Sequence, residues 1–188
     1  MSSQTTDGPP RAALIAALVI AVGGVVAVIV TIAVMQRTPQ AQPVAIAALP
    51  APAAQSPLCA ALLDALPDEL GDYRRAPLVD PAPPGTAAWQ REQPGEALIL
   101  RCGLDRPAEF VTGAPVQVVD AVQWFRVQEP GAVQDSRSTW FAVDRPVYVA
   151  LTLPADSGPT PIQVLSQTIA DTWPARAPEP GPVGPPPR

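Results

Sequence analysis

Leu98-Ile99-Leu100-Arg101-Cys102-Gly103-Leu104-Asp105-Arg106-Pro107, LILRCGLDRP, is the most strand-like run of the chain and holds one of its two cysteines. Successive side chains of a strand point to opposite faces. Leu98, Leu100, Cys102 and Leu104 therefore share one face, while Ile99, Arg101, Gly103 and Asp105 take the other. The cysteine turns toward a core and the arginine away from it, so the arginine has no geometric call to activate a thiolate. Read this way, the segment is a central strand.

The other cysteine lies in Ser56-Pro57-Leu58-Cys59. Serine before proline is a helix-entry signal, with Ser56 as N-cap and Pro57 at the first helical position. Cys59, Leu62, Leu63 and Leu66 then recur at i, i+3, i+4 and i+7, one apolar helix face that ends at Pro67. Both cysteines face a core, one from a helix and one from the sheet that it should cover. A Cys59–Cys102 disulfide is the expected product. It would close a loop of about 44 residues, worth roughly 4 kcal/mol in the chain-entropy model. Two buried free thiols, or redox or metal chemistry, are the competing readings. There is no C-x-x-C, and two cysteines without histidine do not complete a usual zinc site.

Strand candidates surround the central run: Ala87–Arg91, Glu96–Gly103, Val116–Val119, Val122–Val127, Thr139–Val143 and Pro146–Leu153. Pro-Pro-Gly, Gln-Pro-Gly, Glu-Pro-Gly and Asp-Arg-Pro punctuate them. The last alternates, with Val147, Val149, Leu151 and Leu153 on one face and Tyr148, Ala150 and Thr152 on the other. Connections this short imply antiparallel pairing, because parallel crossovers need a dozen residues or more. Thr160-Pro161-Ile162-Gln163 reads as a capping box opening a second helix, whose Ile162, Leu165, Ile169 and Trp173 form a buried stripe up to Pro174. The expected fold is α+β: a small antiparallel sheet of five or six strands packed with two helices, over residues 57–173.

Outside that body the composition changes. Residues 12–35 run for about 24 positions without a charge, between Arg11 and Arg37. At about 1.5 Å per residue they are long enough to cross a hydrocarbon core of about 30 Å. The rival reading is a cleaved signal peptide, with an Ala-x-Ala site at Ala45–Ala47. Ala13, Ala17, Ala21 and Gly24, with Gly23 and Ala27, offer a small-residue seam for a homodimer through the span. Residues 36–56 read as a Pro/Ala-rich linker, residues 174–188 as a Pro-rich disordered tail, and residues 1–11 as a cytoplasmic tail. Positive charge is nearly balanced across the span. A body that follows the helix and carries two cysteines suits an oxidising exterior, so the expected topology is N-terminus inside and body extracytoplasmic.

The chain has no histidine, and all 12 of its basic residues are arginine. That removes imidazole bases, Ser-His-Asp and Cys-His constellations, Schiff-base lysines and the P-loop lysine. Between Pro57 and Trp173, eight arginines face fifteen acidic residues, which disfavours nucleic acid and anionic headgroups as partners. No catalytic residue, metal ligand or cofactor site is expected. Asp64, Asp68, Glu69 and Asp72 are read as a solvated acidic face, and Asp105–Pro107 and Asp144–Pro146 as structural turns. Trp89, Trp124 and Trp140, with Arg101, are the candidate binding surface.

The stretches CAALLDALPDEL from Cys59, AAWQ from Ala87, LILRCGLDRP from Leu98, VQWF from Val122 and DRPVYVALTLP from Asp144 together resemble a family of actinobacterial single-pass membrane or secreted proteins, domain of unknown function 3515. The chain departs from that pattern at Gln90, where the family carries glycine. The resemblance implies membrane anchorage and an envelope location, and supplies no reaction. The function expected is a non-enzymatic, membrane-anchored binding or scaffolding module of the cell envelope, with an unidentified envelope protein or ligand as partner. The alternative is a ligand-binding domain for an envelope glycan, peptide or lipid fragment, using a Trp-rich sheet face. A hydrolase working without histidine or lysine stands third.

Overall fold

The computed structural model describes residues 11–36, 42–92, 95–127 and 137–183. The chain divides into two compact units at Gln40–Ala41. The first holds one helix, α1 (Arg11–Gln36), whose segment Leu14–Ile32 is long and apolar enough to cross a membrane or serve as a signal sequence. Of the expected segments, residues 1–10, 37–41 and 184–188 lie outside the described residues.

The second unit is an α+β body. Its elements are α2 (Pro57–Ala65), β1 (Glu69–Leu70), β2 (Tyr73–Ala76), β3 (Thr86–Gln90), β4 (Leu98–Leu104), β5 (Gln117–Val119), β6 (Val122–Val127), β7 (Ser138–Ala142), β8 (Tyr148–Leu153) and α3 (Thr160–Thr172). The strands form one antiparallel sheet in the order β1-β2-β3-β4-β8-β7-β6-β5, so the LILRCGL strand is central. Eight strands replace the expected five or six. The two extra ones form the Glu69–Ala76 hairpin, in which Leu70 pairs with Tyr73 across Gly71 at φ +63°. A strand of two residues and one carrying Arg74-Arg75 give too little alternation to be read from sequence.

One sheet face carries both helices. Leu98, Leu100 and Cys102 of β4 join Val149, Leu151 and Leu153 of β8, Trp89 of β3 and Trp124 of β6 beneath Cys59 and Leu62 of α2 and Ile162, Leu165 and Ile169 of α3. The Ser56 hydroxyl accepts the Cys59 N–H at 3.3 Å, the cap that the sequence implies. At α3 the expected capping box is absent. Pro159 occupies the cap in a helical conformation without a side-chain bond, so the helix starts one residue earlier and Thr160 lies inside it.

The opposite face is covered by segments without regular structure. Val44 pairs with Leu78 and packs with Ala76, Ala88, Ala97 and Ile99. Ala53 donates its N–H to the Gly103 carbonyl at 3.1 Å. At the other end Phe110 packs on Phe125 and Val143, and Gly181 exchanges backbone hydrogen bonds with Phe110 and Thr112. Residues 42–56 and 174–183 are therefore docked on the body and not a free linker and a disordered tail. Exchanged backbone hydrogen bonds and a few small apolar contacts hold them, a signal that proline content conceals.

Gly103 explains how closely the N-terminal segment approaches. It sits at φ +85° beside a register shift in the β4–β8 pairing, and a Cβ there would overlap the backbone of Ala53 and Ala54. Only glycine meets both demands.

Candidate functional site: a groove at Trp140 and Arg126

Cys59 and Cys102 are joined by a disulfide, with Cα atoms 5.7 Å apart and both residues fully buried. It ties α2 to the central strand. Enclosed in apolar surroundings, it is a staple and offers no reactive sulfur to solvent.

The three strand tryptophans do not form one open surface. Trp89 and Trp124 are 0% exposed under the helices. The Trp89 indole donates to the Pro67 carbonyl at 3.0 Å, and Trp124 donates to the Ser166 hydroxyl at 2.9 Å. Each has its polar handle satisfied inside the core, where tryptophan packs. These two leave the candidate binding surface because the helices take the face on which they lie. Trp140 lies on the same face but beyond the start of α3, and it stays half-exposed.

Arg101 projects from the opposite face of β4, as its alternation requires. It borders a small cavity of about 60 Å³ lined by Ala47, Leu49, Ala51, Pro83, Pro84 and Thr86. Burial, reinforced by the charge of Arg137, pushes its guanidinium below the ordinary arginine value. It is separated from Trp140 by the thickness of the sheet, so the two do not form one site.

The two Asp-Arg-Pro turns are structural. Arg145 is buried, pairs with the Asp144 carboxylate at 2.8 Å and donates to the Ala121 carbonyl at 2.7 Å. Arg106 packs against the backbone at Gly181, under the docked C-terminal segment. The acidic residues near α2 are exposed. Glu69 and Glu92 pair with Arg74 at 3.6 and 3.9 Å, so the cleft they border with Asp72 and Arg91 has its charges largely matched. Among the described residues no three acidic or thiol side chains cluster as metal ligands would.

What the tertiary structure adds is a groove of about 440 Å³ between the sheet and the start of α3. Val119, Leu153 and Ile162 give it an apolar floor, Gln117, Gln163 and Ser138 give it polar edges, and the loop 154–159 closes one side. Arg126 and Trp140 are cross-strand partners on β6 and β7. The Arg126 guanidinium lies 5.5 Å from the Trp140 ring centroid, and its Nε is buried without a hydrogen-bond partner among the described residues. The Trp140 indole donates to Ser138 at 3.0 Å, which fixes the ring. Arg126 escaped the sequence reading: VQWFRV sets it two residues from Trp124, and only the β6–β7 register brings it to Trp140.

The described residues thus define a disulfide-stapled antiparallel α+β module, preceded by an apolar helix and bearing one arginine–tryptophan groove. A family model described as "Protein of unknown function (DUF3515)" matches residues 18–178, and the chain belongs to that family. No curated protein and no solved structure matches it.

Proposed function

We propose that this protein is a membrane-anchored, extracytoplasmic binding module without catalytic activity, and that the groove at Trp140 and Arg126 is its binding site. The observation that carries this reading is a guanidinium over an aromatic ring at the wall of an apolar-floored groove, with one buried nitrogen that has no partner among the described residues. A donor nitrogen buried without a partner costs free energy, and a ligand acceptor beside it on the same guanidinium adds the hydrogen bonds that its exposed nitrogens can make. The absence of histidine and lysine from the chain narrows catalysis to carboxylate, hydroxyl or tyrosine chemistry, which supports a binding role.

Anchorage is supported by the docked segment. Cleavage at Ala45–Ala47 would cut through residues that pair with Leu78 and cover Arg101, so keeping α1 attached is the arrangement consistent with the body as folded. The disulfide supports an oxidising compartment. A C-terminal reporter that works only in the cytoplasm should be silent, and its activity would sink this topology.

The binding reading is tested by a photo-cross-linking residue at Gln163, on the groove, and another at Val118, exposed on the opposite face. In intact cells a defined adduct is expected at 163 and not at 118. No adduct at 163, or the same adducts at both positions, would overturn it.

A further inference from the structure

Arg126 sets the chemistry of what the groove can hold. Among the described residues that line it, Arg126 is the one charged side chain, and it makes no ion pair with any described residue. A guanidinium over an indole ring presents a planar fork, which matches a carboxylate or phosphate and not a neutral hydroxyl. With Val119, Leu153 and Ile162 beside it, the groove suits a single negative charge joined directly to an apolar group; a phosphate brings more charge than one guanidinium answers. The acid excess of the body repels free anions, so apolar contact next to the charge must hold the ligand.

The edges exclude a plain hydrocarbon chain. Gln117, Gln163, Ser138 and Ser157 border the same space, and an acyl chain would strip water from their amides and hydroxyls without replacing its hydrogen bonds. A peptide supplies amide donors and acceptors along its length and a carboxylate at its end. The volume of about 440 Å³ lies in the range of small-ligand sites and admits a chain end, not a folded domain.

We infer that the groove takes the free C-terminal end of a peptide, its carboxylate on Arg126 and its last apolar side chain between Val119, Leu153 and Ile162. This rests on the groove being the binding site, and it belongs with modes in which chain termini are captured by fixed donors.

The test uses the full chain, ¹⁵N-labelled in detergent micelles, and reads the indole N–H signal of Trp140, assigned with Trp140→Phe. The probes are two pools of random tetrapeptides, one with free carboxyl ends and one amidated, and decanoate. The free-acid pool should shift the Trp140 signal and leave those of buried Trp89 and Trp124 in place, with the amidated pool at least tenfold weaker. Arg126→Gln should lose at least tenfold and Arg126→Lys less, while Arg101→Gln, across the sheet, should bind like the parent. The undisturbed Trp89 and Trp124 signals report that each variant is folded. Equal binding of both pools overturns the carboxylate assignment while leaving the groove as a site. Decanoate binding more tightly than the free-acid pool overturns the peptide in favour of a lipid fragment. A Trp140 signal unmoved by either pool overturns the peptide ligand, and the groove itself then stands or falls on the Gln163 cross-link.

Discussion

The two faces of the sheet are closed by different means. One is covered by α2 and α3, whose apolar stripes meet the side chains of Trp89, Leu100, Trp124 and Leu151, and it is stapled by Cys59–Cys102. The other is covered by residues 42–54, the Phe110 loop and residues 174–183, which are held by a few backbone hydrogen bonds and small apolar contacts. Large residues and a covalent link concentrate the stability on the first face. The second is tied down by close backbone approach, which needs little side-chain volume and correspondingly contributes less.

The sharpest way to break the comparison is at Trp124, fully buried on the helix face with its indole on Ser166. Trp124→Ala should cost about 3–5 kcal/mol by leaving a cavity in a close-packed core, measured by urea denaturation. Replacing both cysteines by serine comes next. Loss of the loop constraint is expected to cost about 4 kcal/mol in the chain-entropy model, less whatever structure the unfolded chain retains, and the same urea midpoints would report it.

On the opposite face the expected effect is smaller and local. Gly103→Ala meets both a positive φ and the backbone of Ala53 and Ala54, so it should cost about 1–3 kcal/mol. Amide exchange at Ala53, Ser56 and Val44 should accelerate while α3 stays protected. Uniform acceleration across both faces would show that the two are one cooperative unit and erase the distinction.

The smallest effect lies at the rim. Arg91 hydrogen-bonds the exposed Asp156 carboxylate, chiefly by that bond holding the acid below its ordinary value of 3.8. Between the lowered and ordinary values the folded state binds fewer protons, so this contribution is present above the ordinary value and fades as pH falls through the lowered one. Asp156→Asn should lower stability slightly at neutral pH and leave it unchanged at strongly acid pH, so that the acid limb of the stability curve flattens. An unaltered acid limb would show that this exposed pair contributes nothing measurable.

The difference between the faces also marks how far the sequence could be read. Six strands, both body helices and the pairing of Cys59 with Cys102 follow from periods of 2.0 and 3.6 and from Ser56 and Pro57, because burial on a regular element writes itself into spacing. The Glu69–Ala76 hairpin did not, being too short to show a period. Nor did the docking of residues 42–56 and 174–183, whose hydrogen bonds come from the backbone and carry no residue signature. At the candidate site Trp140 was legible as an aromatic strand residue, but its separation from Trp89 and Trp124 was not, since all three project from the same face.

By itself, then, the sequence determined an apolar helix, an antiparallel α+β body with LILRCGLDRP at its centre, and a chain without histidine or lysine chemistry. Local spacing, caps and composition suffice for each of those. Only the tertiary structure decided which tryptophan stays open, that Arg126 stands on it, and that the proline-rich segments are part of the fold. Those depend on strand register and on where a helix begins across a sheet face, contacts between residues distant in sequence whose pairing no single segment encodes.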